Sequence, residues 1–119
     1  MEIKKKTIEG KGIRFSIEIN AKEVGRAFLY VLHNDLHKKP FGFLEDVFID
    51  ENLRGKGIGT QLLNEVIEEA KKSKCYKIVA TSRHSRDKVH KLYKRLGFKD
   101  QGIEFRLDFH NDLRSLKRR

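Results

Sequence analysis

Apolar and polar residues alternate in the first part of the chain. Ile13, Phe15, Ile17 and Ile19 are separated by Arg14, Ser16, Glu18 and Asn20, the two-residue period of a half-buried strand. Ile3 to Ile8 predicts a short strand before it, with Glu9 to Gly12 as the turn, and Asn20 to Glu23 predicts a second turn. Val24 to Leu32 reads as a mostly apolar strand, His33 to Lys39 as a polar loop, and Phe41 to Ile49 as an apolar, aromatic strand interrupted by Glu45 and Asp46. The period then changes. Ile58, Leu62, Val66 and Ala70 fall four apart with Leu63 and Ile67 beside them, so one stripe of a helix is apolar, and Glu65, Glu68, Glu69, Lys71 and Lys72 take the other faces. Cys75 to Thr81 predicts a buried strand. Val89, Leu92, Tyr93 and Leu96 repeat the helical stripe, and Gly97 ends that helix. Phe98 to Phe109 predicts two short strands around Gly102. The expected order is β-β-β-β-α-β-α-β-β, an α/β (α+β) arrangement without repeat or linker.

A chain of 119 residues suits one core. We expect a single domain over residues 1–109 and a basic tail over 110–119. Charged residues are 37% of the chain, well above the ordinary quarter, and the formal net charge is +10. An acidic partner fits that excess, either a polyanionic cofactor or nucleic acid. Much of it lies in Lys4-Lys5-Lys6 and in the run from Arg114 to Arg119, where solvated surface is the simpler account. Few aromatics alternate with the Lys and Arg residues and no recognition motif is present, so specific nucleic-acid binding is not expected. Cys75 is the single cysteine, which excludes an internal disulfide and suits a reducing compartment. No run approaches the ~18 apolar residues of a membrane span, and the start lacks a secretory pattern, so the expected location is cytoplasmic. His33 and His37 have H-x-x-x-H spacing, but Asn34 stands where a zinc protease needs Glu, so no metal is expected.

The chemistry concentrates in Asp46-Val-Phe-Ile-Asp-Glu-Asn-Leu-Arg-Gly-Lys-Gly-Ile-Gly-Thr60, where a strand runs into a glycine-rich turn and then an amphipathic helix. Gly55, Gly57 and Gly59 let the backbone approach a ligand and point several N–H groups one way. The helix adds its positive end, which favours an anion, above all a diphosphate, and Arg54 and Lys56 add formal charge. The nucleotide P-loop spacing G-x-x-x-x-G-K-[ST] is absent. The dinucleotide pattern G-x-G-x-x-G fails too, because Leu62 stands where its third glycine belongs.

The pattern that remains is [RQ]-x-x-G-x-[GA], met by Arg54, Gly57 and Gly59. It resembles the coenzyme-A-binding loop of the GNAT superfamily of N-acetyltransferases. A second block, Ala80 to Phe98, resembles that family's strand-helix segment ending in Tyr-x-x-x-Gly-Phe, and the resemblance runs from about Phe41 to Phe109. It implies the acyl-CoA N-acyltransferase fold: a mixed, mostly antiparallel sheet with two main helices, the family's N-terminal helices being shortened or missing here. It also implies acetyl-CoA as cosubstrate, with Val47, Phe48 and Ile49 along the pantetheine arm. The diphosphate would sit on the backbone of Arg54, Gly55, Lys56, Gly57, Ile58, Gly59 and Thr60.

Tyr93 stands where many members carry a tyrosine that protonates the departing thiolate, a role suited to a phenol near the sulfur. Arg86 replaces the Asn that commonly binds the cofactor arm, and Val89 replaces a common Ala; some subgroups carry a basic residue and a histidine in this helix, as Arg86 and His90 do. The attacking amine must be neutral, so a carboxylate is needed to take its proton. Glu45 and Asp46 are the candidates, on opposite faces if the strand is regular, and similar Glu-Asp-Val strands in some amino-sugar acetyltransferases favour Glu45. Members are often dimers, so a homodimer is one option, and no decisive interface stripe in the sequence selects it. The expected activity is acetyl transfer to a primary amine by direct attack in a ternary complex, with a protein or peptide amine favoured if the acceptor side is open. The alternatives are an amino-sugar or polyamine acceptor, and a non-catalytic acetyl-CoA-binding or regulatory module.

Overall fold

The computed structural model describes residues 1–110. Its elements are β1 (Lys11–Ile19), β2 (Lys22–Leu32), β3 (Phe41–Ile49), a 3-10 turn (Glu51–Leu53), α1 (Ile58–Lys72), β4 (Ile78–Ala80) and α2 (Asp87–Arg95). The four strands form one sheet in sequence order, antiparallel from β1 to β3 and parallel between β3 and β4. The fold is therefore α/β with a mixed sheet and two helices. No helix precedes β3 among the described residues.

Each element has a local cause. Ile19 pairs with Lys22, so Asn20 and Ala21 alone make the first turn, and both have positive φ (53° and 64°). That is the backbone of a primed two-residue hairpin, whose twist matches that of its strands. Alternate residues of β2 then fall on opposite faces. Ala27, Leu29 and Val31 are buried, and with Leu44 of β3 they meet Leu62, Leu63, Val66 and Ala70 of α1. This is the helical stripe expected from the four-residue spacing. Each large side chain buried there contributes about 1.5–3 kcal/mol.

Both helices end in the same six-residue device. In α2, Phe98 N–H bonds to Tyr93 C=O (3.0 Å) and Gly97 N–H to Lys94 C=O (3.1 Å), with Gly97 at φ 104°. This is a Schellman cap, and its usual apolar contact is the Tyr93–Phe98 ring pair at 5.2 Å. The Tyr-x-x-x-Gly-Phe spacing thus has a structural meaning of its own. In α1, Cys75 N–H bonds to Ala70 C=O (3.0 Å) and Lys74 N–H to Lys71 C=O (2.9 Å). Here Lys74, not glycine, occupies the left-handed position at φ 64°.

Three segments expected to form strands differ. Ile3 to Ile8 joins no ladder; it carries three consecutive lysines, and Ile3 and Ile8 are exposed. Cys75 to Thr81 contracts to Ile78–Ala80, because Cys75 and Tyr76 are used by the α1 cap and by a bond from Tyr76 N–H to Pro40 C=O. Residues 98–109 have the strand alternation but join no ladder among the described residues, and Ile103, Phe105, Leu107 and Phe109 stay exposed. Most of the basic tail, 111–119, lies outside the described residues.

The caps make opposite predictions. Lys74→Gly should raise unfolding free energy by about 1 kcal/mol by relieving a left-handed non-glycine residue. Gly97→Ala should lower it by about 1 kcal/mol or more. Urea unfolding of both variants measures the two signs.

Candidate active site

β3 and β4 separate early. Their parallel register is Gly42↔Ile78, Phe43↔Val79 and Leu44↔Ala80, and β4 stops there while β3 continues to Ile49. Beyond Leu44, that edge of β3 has no strand beside it among the described residues. The other edge carries a bulge. Phe28 pairs with Glu45 and Arg26 with Phe48, so Asp46 and Val47 together oppose Ala27, and Asp46 has φ 49°. The extra residue resets the alternation. Val47 and Ile49 pack toward the core with Leu44, whereas Phe48 lies under the Arg26 guanidinium (4.7 Å) on the face shared by Phe28 and Glu45. The regular strand that would place Glu45 and Asp46 on opposite faces is thus not what forms.

The chain leaves β3 through a fixed turn. Asp50 N–H bonds to Val24 C=O (2.8 Å), and the Asp50 carboxylate accepts from Asn52 N–H (3.0 Å). That backbone bond, aided by Lys22 at 3.4 Å, holds the Asp50 carboxyl below its ordinary pKa. Gly55 and Gly57 then take φ 84° and 79°. A Cβ at either would meet nothing within 4 Å, so the backbone angle, and not crowding, demands glycine there. Gly59 is glycine for the other reason: its Cβ would lie 3.2 Å from a Leu92 methyl, where α2 crosses α1.

Gly57 caps α1 without any side-chain bond, and the first turn holds no acid. The first helical bond is Gln61 N–H to Gly57 C=O (3.0 Å), so the preceding N–H groups have no helical partner. They face a cleft of about 880 Å³ between the end of β3 and α2, a size at the upper end for small-molecule sites.

Of the residues expected to bind a cofactor, Val47, Ile49, Arg54, Gly55, Gly57, Gly59, Thr60 and Arg86 border this cleft. Phe48, Lys56 and Ile58 belong to the same backbone run, but their side chains do not border it; Lys56 is exposed and Ile58 half-buried. Sequence reasoning missed Ser85, Lys88, Leu92 and Arg95, which also line it. Lys88, Leu92 and Arg95 are spaced i, i+4, i+7, so the signal was a helical stripe, read only for its apolar members. Arg54, Arg86, Lys88 and Arg95 leave the wall strongly cationic against the single acid Asp87. This wall and the open N-terminal amides of α1 are the chemistry that suits a polyanion.

Tyr93 and Glu45 do not border the cleft, but the Glu45 charge reaches the Tyr93 phenol. Tyr93 is buried, and burial pushes its phenol above the ordinary value; Arg86 pulls it down and Glu45 pushes it further up. The Glu45 carboxyl is raised chiefly by burial, then by Asp46 and Glu104, with Arg106 opposing. Glu45, Tyr93 and Arg86 therefore share one electrostatic neighbourhood, into which the segment carrying Glu104 and Arg106 also reaches. A raised phenol stays protonated at neutral pH, as a proton donor must. Elsewhere, burial raises the Cys75 thiol, which keeps it from being a ready nucleophile. The His33 ring donates from Nε2 to the His37 carbonyl (2.7 Å).

The Acetyltransferase (GNAT) family profile matches residues 3–98, and this chain belongs to that family. An uncharacterized N-acetyltransferase of Methanocaldococcus jannaschii is 36% identical over 93 residues, covering 75% of this chain and 40% of the relative. Glucosamine 6-phosphate N-acetyltransferase of Trypanosoma brucei brucei is 34% identical over 67 residues, covering 56% and 44%. The chain thus spans less than half the length of these curated relatives. Among solved structures, a Trypanosoma brucei acetyltransferase aligns with TM-score 0.73 at 28% identity, over 82% of this chain and 69% of that one. Glucosamine-6-phosphate N-acetyltransferase from Arabidopsis thaliana aligns with TM-score 0.75 at 22% identity, over 83% and 67%, a likeness of fold.

The raised carboxyl gives a stability test. The stability that comes from keeping Glu45 protonated is complete below about pH 4 and lost as pH rises through the higher folded value. Glu45→Gln, which cannot ionise, should therefore be more stable than the parent at pH 7 and lose that advantage near pH 4. Urea midpoints at the two pH values measure the difference.

Proposed function

We propose that this chain transfers an acetyl group from acetyl-CoA to a primary amine by direct attack within a ternary complex. The observation that carries this reading is the continuity of three features. Among the described residues the edge of β3 beyond Leu44 is unpaired, it leads into the left-handed glycines at 55 and 57, and these open onto the start of α1, which has no side-chain cap. An extended arm bearing amides can hydrogen-bond along such an edge, and a diphosphate matches the donors at its end. Membership of the acetyltransferase family supports the same ligand.

Acetyl-CoA supplies an acyl carbon activated by its thioester. The residues of this chain then divide the work. The main chain of Val47, Phe48 and Ile49 aligns the pantetheine arm. The backbone from Arg54 to Thr60 holds the diphosphate, with Arg86 beside the arm. Glu45 takes the proton that the amine must lose, directly or through water, as the amine nitrogen bonds the acyl carbon. Tyr93 gives its phenolic proton to the sulfur as the carbon–sulfur bond breaks. Holding both reactants in one complex supplies much of the acceleration.

The sheet face that carries Glu45 also carries Phe28, Tyr30 and Phe43, and Tyr30 is exposed. An aromatic face of this kind supports an acceptor larger than a free amine, such as a peptide. The names of the relatives motivate a second arm of the screen, because one is a glucosamine 6-phosphate N-acetyltransferase and another, in Xenopus laevis, is an N-alpha-acetyltransferase.

The test is thiol release from acetyl-CoA across peptide amines, glucosamine 6-phosphate and polyamines. With the acceptor found, Tyr93→Phe and Glu45→Gln should each lower kcat by roughly 100-fold or more, with little change in the KM for acetyl-CoA. Unchanged rates in both variants would refute the assigned roles. Absence of acetyl-CoA binding would refute the activity.

A further inference from the structure

Coenzyme A carries two separate anionic groups: a diphosphate in the middle of the molecule and a phosphomonoester on the ribose. The monoester is the more densely charged, at about −1.5 to −2 near neutral pH for such a group. The glycine loop and α1 provide donors for one group only. The cleft nevertheless has cations on both walls, with Arg54 on the loop side and Arg86, Lys88 and Arg95 on the α2 side.

Arg95 is set apart by its placement. It lies at the C-terminal end of the stripe Lys88, Leu92, Arg95, about 10 Å along the helix axis from Lys88. Leu92 seats this end of α2 against Gly59. The Arg95 guanidinium donates to Thr60 Oγ1 at 3.3 Å, so the side chain is held beside the first turn of α1, next to the open amides. It has no acidic partner among the described residues, remains exposed, and borders the cleft. One fixed N–H leaves the rest of the planar fork for an oxyanion, and that fork suits a phosphomonoester better than a point charge does.

Building on the coenzyme reading of the cleft, the geometry points to Arg95, steadied by Thr60, as the subsite for the ribose phosphomonoester. The chain is thereby selective for coenzyme A over its 3′-dephospho form. This places a specificity element on α2, outside the glycine loop that holds the diphosphate. Lys88, about 10 Å away along the helix axis, lies too far to share that role.

The experiment is calorimetric titration of the full chain with coenzyme A and with 3′-dephospho-coenzyme A at one fixed ionic strength. The parent should bind coenzyme A roughly 10- to 100-fold more tightly, the range for charge-assisted bonds to one group. Arg95→Met should reduce that preference to within about threefold, chiefly by weakening coenzyme A and sparing the dephospho form. Lys91→Met removes the same charge from α2 at a residue that does not border the cleft, and it should leave the preference in place. Arg95→Lys should restore part of it, and a far-ultraviolet melt of each variant checks that α2 remains folded. Equal affinity of the parent for both forms, or a preference that survives in Arg95→Met, overturns the subsite while leaving the acetyltransferase reading intact. Failure of both forms to bind the parent overturns the two together.

Discussion

Parallel pairing of β3 and β4 lasts for three residue pairs and stops at Leu44 and Ala80. A backbone edge released in mid-sheet has unsatisfied N–H and C=O groups that must find other partners. In this chain the released edge is the upper half of β3, and it leads straight into the one loop built to present further amides. The bulge at Asp46 keeps the released half useful. Without the extra residue, Val47 and Ile49 would turn away from the core, and the run from strand to loop would not be anchored by α1.

The loop and the two helices are held by backbone geometry more than by charge. Left-handed residues at Gly55 and Gly57 shape the turn, and Gly59 admits α2 at close range. At the far end of α2 the Schellman cap fixes Phe98 on Tyr93, which keeps that tyrosine buried and its phenol hard to ionise. One residue thus serves as packing contact and cap partner, and it is the proton donor we propose. The motif is compact because its members depend on one another.

The two helices, the glycine loop and the break after Ile19 were legible in the sequence, because each rests on local rules: a four-residue apolar stripe, clustered glycines, a polar interruption between apolar runs. The turn itself closes over Asn20 and Ala21, shorter than the expected Asn20 to Glu23, because Lys22 and Glu23 pair in β2. The flanking strands were not. Ile3 to Ile8 and 98 to 109 have apolar residues in suitable places, but a strand exists only beside a partner, and partner length is a property of the whole sheet. The bulge was hidden for the same reason, since Asp46 is recognised as an extra residue only once Glu45 and Phe48 are paired. In the site, the glycine run and Arg54 could be read from spacing. Arg95 could not, because its contact with Thr60 joins positions 35 apart.

The exposed row Ile103, Phe105, Leu107 and Phe109 has one more implication. Unpaired extended backbone with apolar groups on one side is the usual template for fibrillar stacking. Glu104, Arg106 and Asp108 occupy the alternate positions, and Arg106 is already tied to Asp108 at 2.8 Å. In a parallel, in-register stack every one of these would sit on its own like charge, which opposes growth. The sequence thus tolerates a sticky strip at its surface by interleaving it with gatekeepers.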